Sequence, residues 1–180
     1  MNPGDINPVA ILRDFEERCT GGSLEQPGKA ESRNEWSGIG YRVGGNYLVT
    51  RLGEVVEILD LPELTRVPLT KPWVLGVANV RGNLLPVVDL QGMLSGTMAR
   101  QTGRTRLLVV DHEGVYSGLV VDEVLGLKHF SESEHTDAAD NLDGYLSPYT
   151  RRKFRSGDRT WTVFSLFALA ESPDFLQAAV

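Results

Sequence analysis

Short apolar runs separated by polar turn sequences follow one another from Trp36 almost to the end of the chain. In the first run, Ile39, Tyr41 and Val43 lie on one side of an extended chain, a period of two residues that indicates a β-strand. Helical spacing is nearly absent from the middle of the sequence. About ten such runs with turn signals at regular intervals predict a mainly β fold, built as small barrels or a sandwich.

Glycine-containing turns mark the points where successive strands reverse direction. Gly82-Asn83 supplies the positive φ that a tight hairpin needs, and further hairpins are predicted across 112–114 and 156–158. The predicted strands are 36–43, 47–52, 55–59, 66–69, 77–81, 84–90, 105–111, 115–121, 124–130, 150–155 and 160–164. A polar stretch at 95–104 separates the sixth strand from the seventh.

The N-terminal part of the chain has a different pattern. An Asn-Pro pair favours a helix start, and Ile11 and Phe15 then fall on one apolar stripe, so a helix is predicted within residues 1–19. Residues 20–35 contain a single large apolar side chain and are predicted to form a flexible linker. The helix is therefore expected to be tethered to the β body and not built into it.

Charge and cysteine content exclude several classes of protein. The net charge is −6, whereas proteins that neutralise DNA phosphates usually carry a basic surplus, so nucleic acid is not an expected partner. Cys19 is the only cysteine, which leaves no intramolecular disulfide and no thiolate zinc cage. The sequence has no signal-peptide pattern and no apolar run near the roughly 18 residues of a membrane span. We therefore expect a cytoplasmic protein without direct membrane insertion.

Enzyme signatures are scarce, and the acidic candidates have an ordinary explanation. No nucleophile elbow, phosphate-binding loop or zinc-protease helix is present. Asp89, Asp111 and Asp122 each follow a Val-Val pair at the end of a predicted strand, where they could form an acid–base cluster or accept turn N–H groups. The turn role is favoured, because no nucleophile accompanies them.

A metal site is equally weakly indicated. His129, His135 and Asp137 could in principle hold an ion, but they flank or occupy an acidic loop at 131–144, whereas ligands need a rigid surrounding. A solvated loop is the favoured interpretation. No metal and no cofactor are therefore expected.

A basic run lies just beyond that acidic loop. It consists of Arg151, Arg152, Lys153, Arg155 and Arg159. Alternate residues of a hairpin strand are solvated by default, and the preceding acidic loop offers an intramolecular partner. Docking of an acidic protein surface is the alternative.

The most unusual segment is GVANVRGNLLPVVDL at residues 76–90. Arg81 lies in an otherwise apolar predicted strand and must either reach water or find an acceptor, since an unpaired buried charge is costly. Pro86 within a strand indicates an edge or a bulge, where its missing N–H is not required. On chemistry alone, Arg81 is either a structural ion-pair residue or a binding residue.

The same segment resembles the signature of the CheW family, the adaptors of bacterial chemosensory arrays. Gly76, Asn79, Arg81, Gly82, Pro86, Asp89 and Leu90 all lie where the family pattern requires them. Downstream, RLLVVDHEGVYSGLVVDEVLGL resembles the family's central hairpin, with Gly118 and Asp122 in place. The resemblance covers about residues 36–170.

This resemblance implies two five-stranded SH3-like barrels packed side by side, a non-catalytic adaptor and two protein partners. The partners would be the regulatory domain of a CheA-type histidine kinase and the cytoplasmic hairpin tip of a chemoreceptor, the latter bound in a groove between the barrels. Carried over by position, Leu52, Val55 and Glu57 would line that groove together with Arg81. The kinase contact is not assigned to residues.

On this basis we divide the chain into four parts. The helix at 1–19 and the linker at 20–35 precede a CheW-like domain at 36–170, whose barrels are expected at roughly 36–95 and 104–170. A helical tail at 171–180 completes the chain, its second helical piece opened by Ser172 and Pro173.

Three features depart from the family's commonest form. The N-terminal helix and linker are additions, Ala78 is smaller than the usual residue, and TRRKFRS is basic where the family has small, glycine-rich sequence. The extension and the WSGIGYRVGG strand are most similar to the family's adaptor of the type IV pilus (twitching) chemosensory system. An adaptor of a flagellar or other array is the alternative, and a small-molecule-binding barrel or a small enzyme is the alternative of another class.

Overall fold

A computed structural model describes residues 35–136 and 144–178, within which ten strands form two five-stranded sheets. The strands are β1 Glu35–Val43, β2 Asn46–Arg51, β3 Glu57–Asp60, β4 Val74–Val80, β5 Asn83–Asp89, β6 Arg106–His112, β7 Val115–Val121, β8 Glu123–Ser131, β9 Thr150–Ser156 and β10 Arg159–Phe164. The mainly β prediction is confirmed. The helix predicted at 1–19 and nearly all of the linker lie outside the described residues.

The two sheets are interleaved along the chain. One has the order β8-β1-β2-β10-β9 and the other β3-β6-β7-β5-β4. The predicted division into barrels at 36–95 and 104–170 is therefore wrong, because β8 to β10 join β1 and β2 while β6 and β7 join β3 to β5. The polar stretch at 95–104 is a connection within the second sheet, and a polar connection carries no information about which strands pair.

Each sheet closes into a barrel through a short bridge at its edges. In the second sheet, Thr65 and Val77 exchange backbone hydrogen bonds of 2.9 and 2.8 Å, which joins the segment after β3 to β4. In the first sheet, the Thr136 N–H donates to the Lys153 carbonyl at 3.0 Å, which joins the segment after β8 to β9. Closure leaves fewer open strand edges.

Four hairpins reverse the chain through two-residue turns. They are centred on Gly44-Gly45, Arg81-Gly82, Glu113-Gly114 and Gly157-Asp158. The turn after β4 was predicted one residue later, at Gly82-Asn83, and Arg81 accordingly lies in the turn and not in the strand. The strand predicted at 66–69 is also wrong, since residues 66–69 form no strand and only single bridge residues, Thr65 and Thr70, lie on either side of them.

Three hydrophobic clusters explain why the apolar runs of the sequence are continuous. In β6, Leu107 and Val109 pack inside the second barrel, whereas Leu108 and Val110 pack in a core shared with the first barrel. Both faces of the strand are therefore buried, and the period of two disappears from its sequence. An aromatic cluster that includes Phe130 fills the first barrel.

Short helices complete the fold: α1 Leu90–Ser95, α2 Leu166–Ala170 and α3 Pro173–Leu176. Asp89 caps α1. The sequence did not predict this helix, because the polar stretch at 95–104 obscured its short apolar face. Ser172 caps α3, as predicted, through a bond from the Phe175 N–H. None of the helices in the described part of the chain is long and apolar enough to span a membrane.

Candidate functional site

The chain crosses from the first barrel to the second between β2 and β3, and three of the four predicted groove residues lie on this crossing. Leu52 begins a single 3-10 turn and is 49% exposed. Val55 follows it and packs partly against the shared core. Glu57 is the first residue of β3. The crossing therefore places these side chains where the two barrels meet.

Glu54 fixes this crossing to the closing helix α2. Its Oε2 accepts hydrogen bonds from the backbone N–H groups of Leu166, at 2.6 Å, and Phe167, at 3.2 Å. The hydroxyls of Thr50 and Ser165 donate to the same oxygen, each at 3.3 Å. A carboxylate at the start of a helix satisfies N–H groups that have no partner within the helix. Sequence reasoning missed this role, because the partners at the start of α2 lie more than a hundred residues away.

The fourth predicted residue, Arg81, reaches the crossing from the β4–β5 turn. Arg81 and Gly82 have φ values of 52° and 87°, the left-handed geometry that this two-residue turn requires. The Asn79 side-chain oxygen accepts from the Gly82 N–H at 2.9 Å and holds the turn. The Arg81 guanidinium donates to Glu57 Oε1 at 2.5 Å. We call Leu52, Val55, Glu57 and Arg81 the crossover surface.

The geometry of Arg81 is compatible with both roles that the sequence left open, a structural ion pair and a binding residue. It makes an internal ion pair, yet its side chain is 77% exposed, whereas that of Glu57 is 25% exposed. An exposed ion pair contributes little to stability, about 0–1 kcal/mol. The guanidinium is thus oriented by Glu57 while most of its donors face solvent.

Apolar side chains that the sequence analysis did not single out are exposed close in sequence to residues of the crossover surface. Val56, just before β3, and Ile58, the second residue of β3, flank Glu57 in the sequence and are 62% and 40% exposed. Leu84, near the start of β5, is also largely exposed. Exposed apolar side chains together with a charged residue such as Arg81 are typical of a protein-binding surface.

The remaining motif residues are structural. Gly76 has a φ of 143°, and a Cβ there would lie 2.3 Å from the Thr65 carbonyl oxygen, so a side chain would disrupt the bridge that closes the barrel. Gly118 packs against the Leu107 side chain, and Leu90 is fully buried. Pro86 is not on an edge strand, but the ladder between β5 and β7 begins one residue later, so its missing N–H is not required.

Two of the three strand-end aspartates accept backbone N–H groups, which confirms the turn role for them. Buried Asp89 accepts from Gly92 at 2.8 Å and from Ala99 at 2.9 Å. Asp122 accepts from Gly44 at 3.1 Å. Burial raises the pKa of the Asp122 carboxyl above its ordinary value, and the Gly44 N–H and the charge of Arg42 offset this only partly. Asp111 is exposed at the end of β6.

The histidines are occupied by protein contacts. His129 Nδ1 lies 2.8 Å from the Ser37 hydroxyl, and the His135 ring packs edge-on against Phe154. Asp137, the third residue of that candidate metal set, lies outside the described residues. Among the described residues, one group has metal-ligand spacing: His112, Glu113 and Glu171, with donor atoms within 4.8 Å of one another. His112 bonds to Glu171 at 2.6 Å and stacks on Phe167, contacts that account for its orientation.

A protein-family model, the CheW-like domain, matches residues 37–174 of the chain. This chain belongs to the CheW-like domain family. The match spans both barrels, α2 and the start of α3, and therefore includes the crossover surface. The family resemblance of the motif at 76–90 is confirmed.

Full-length similarity extends beyond the CheW-like domain. Protein PilI of Pseudomonas aeruginosa is 41% identical over 173 residues, which cover 96% of this chain and 97% of that protein. Protein FrzA of Myxococcus xanthus is 39% identical over 99 residues, 55% of this chain and 62% of that protein. The chemotaxis protein CheW of Helicobacter pylori is 34% identical over 118 residues, 66% of this chain and 69% of that protein.

A solved CheW structure shares the fold. The scaffolding protein TtCheW from Thermoanaerobacter tengcongensis matches with a TM-score of 0.64 at 19% identity, covering 77% of this chain and 94% of that one. Family membership and these relatives make the chain a CheW-like chemosensory adaptor, as the sequence predicted.

Proposed function

We propose that this CheW-like adaptor couples a chemoreceptor to a CheA-type histidine kinase, without catalysing a reaction itself, in the pathway that controls type IV pili and twitching motility. The pilus assignment is supported by the similarity to Protein PilI, which extends over nearly the whole of both chains and so includes the N-terminal extension. Coupling a receptor to a kinase in this way requires two protein-binding surfaces and no cofactor.

The crossover surface is the proposed binding site for the cytoplasmic tip of the receptor. The observation that carries this proposal is the exposed guanidinium of Arg81, held by Glu57 on a rigid two-residue turn. A pre-oriented arginine loses little conformational freedom when it binds a carbonyl or carboxylate. Leu52 supplies an exposed apolar contact on the same crossing. An amphipathic helical hairpin presents both kinds of complementary group.

The regulatory domain of the kinase would bind elsewhere on the barrels, so that both partners are held at once. This arrangement places the adaptor on the cytoplasmic side of membrane-bound receptor arrays. An adaptor with two separate surfaces can pass a change in receptor geometry to the kinase without any chemical step of its own.

Reconstitution with purified partners tests the proposal. A receptor cytoplasmic fragment immobilised on beads should retain the kinase when the full chain is present and lose it when the chain is omitted. Receptors from the pilus and flagellar systems of one organism distinguish the two pathways. Failure to retain the kinase with either receptor would contradict the adaptor proposal, and retention with the flagellar receptor alone would contradict the pilus assignment.

A further inference from the structure

A cleft of 570 Å³ lies on the first barrel, between β9, the end of β2 and helix α2. Three arginines and two aromatic residues are prominent in its lining: Arg51, Arg151, Arg152, Trp36 and Phe167. We call this the arginine cleft. Nothing in the crossover surface uses these side chains, although Arg51 immediately precedes Leu52.

The carboxylates that border the arginine cleft are engaged with other groups. Glu54 is bonded to the N–H groups that begin α2, and Glu171 is bonded to His112. Arg152 lies 3.4 Å from Glu132, in a pair whose two side chains are about half exposed. Arg51 and Arg151 make no ion pair with any described residue. The cleft therefore keeps two exposed positive charges in a chain whose net charge is −6.

Protection of a strand edge does not account for this charge. Basic side chains often protect exposed edges from pairing with other chains. The edge of β9, however, is already partly covered, because Thr136 donates to the Lys153 carbonyl and His135 bridges Phe154. Phe154 of the same strand points into the barrel and is fully buried. Arg151 and Arg152 are thus set on a strand whose edge and inner face already have partners, and Arg51 faces the same cleft from the end of β2.

The lining of the cleft selects a particular ligand chemistry. Guanidinium groups bind carboxylates in a bidentate geometry, and Trp36 and Phe167 offer apolar area beside them. A long polyanion such as nucleic acid would be repelled by the negative charge of the rest of the chain. We propose that the arginine cleft binds an acidic peptide segment of a partner protein, with carboxylates on Arg51 and Arg151 and an apolar side chain against the aromatic residues. This proposal does not depend on which protein binds the crossover surface.

Peptide selection on the full chain tests the ligand chemistry directly. A phage-displayed library of random peptides should yield sequences enriched in Asp and Glu that also carry a large apolar residue. The strongest selected peptide, synthesised with a fluorescent label, should lose affinity by about tenfold or more for Arg51→Gln/Arg151→Gln, measured by anisotropy, since two charge-assisted contacts are removed. Both melting temperature and binding at the crossover surface should stay near wild type.

A matched variant separates a local site from a general charge effect. Arg100→Gln/Arg155→Gln removes the same charge from two exposed arginines that do not line the cleft, and it should bind the peptide as wild type does. Equal losses in the two double variants would overturn the proposal, as would a selection without acidic enrichment. Tighter binding of an oligothymidine through Arg51 and Arg151 would assign the cleft to nucleic acid and would also overturn it.

Discussion

Replacing Glu54 by alanine tests how the two barrels are held at the crossing. The carboxylate oxygen that accepts from Leu166, Phe167 and two hydroxyls would be lost. The hydroxyls keep other partners, because Thr50 also donates to the Phe164 carbonyl at 2.7 Å and Ser165 accepts from the Ala168 N–H. The loss therefore falls on the two N–H groups that begin α2.

The size of the effect follows from those two bonds. A hydrogen bond to a charged group contributes about 1.5–3 kcal/mol, and water entering through the arginine cleft would replace part of it. We expect the free energy of unfolding to fall by about 2–4 kcal/mol, which lowers the melting temperature by roughly 5–15 °C for a chain of this size. Glu54→Gln keeps one acceptor oxygen, so its free energy of unfolding should fall by about half as much.

Urea unfolding followed by tryptophan fluorescence gives the measurement, since the chain has three tryptophans. Glu171→Ala is the matched control, because Glu171 borders the same cleft but makes one exposed pair with His112, worth less than about 1 kcal/mol. If Glu54→Ala unfolds at the same urea concentration as wild type or as the control, Glu54 does not anchor α2, and this reasoning is refuted.

Three further predictions concern other parts of the chain. The pKa of Asp122 is raised from 3.8, so the folded state binds this proton more readily than the unfolded state and loses stability as pH rises above that value. The stability of Asp122→Asn relative to wild type, measured by urea unfolding, should therefore rise as pH increases from about 4. A stability difference that does not change with pH would contradict this. A chelator should leave the melting temperature unchanged; a loss of several degrees would show a metal at His112 or near His129. Deletion of residues 1–33 should leave a folded protein by circular dichroism, because the described cores begin with β1; an insoluble or molten product would assign Ile11 and Phe15 to the core.

The sequence predicted the fold class well because turns and apolar runs are local signals. The glycine-containing hairpin turns and the capping residue Ser172 were found from short-range pattern alone. The strand partners were not, since β8 pairs with β1 across roughly half of the chain length. A run such as Leu107 to Val110 indicates burial on both faces but does not say which barrel each face fills.

The candidate site was predicted in part for the same reason. Leu52, Val55 and Glu57 are close in sequence, and the motif that contains Arg81 is distinctive, so family resemblance named all four; their role in binding stays a prediction. The contact between Arg81 and Glu57 spans 24 residues and required the structure. Glu54 and the arginine cleft depend on α2 returning to the crossing, more than a hundred residues later. No local pattern records such a contact.

The central claim is that Arg81 acts in binding the receptor and contributes little to the fold. Arg81→Glu would place a second carboxylate beside Glu57, at a largely exposed position where the lost ion pair and the new repulsion each amount to about 1 kcal/mol or less. Arg104→Glu is the matched control, since Arg104 is 79% exposed and lies 3.6 Å from Glu123. Both variants should melt within a few degrees of wild type.

The deciding measurement is the affinity of Arg81→Glu for a receptor cytoplasmic fragment and for the kinase regulatory domain, taken together with its melting temperature. The account predicts that receptor binding weakens by about 2–5 kcal/mol, the loss expected for a desolvated charged contact, while kinase binding changes far less. Arg104→Glu should retain both affinities. A variant that melts many degrees lower and loses both partners equally would show that Arg81 is structural and would contradict the account.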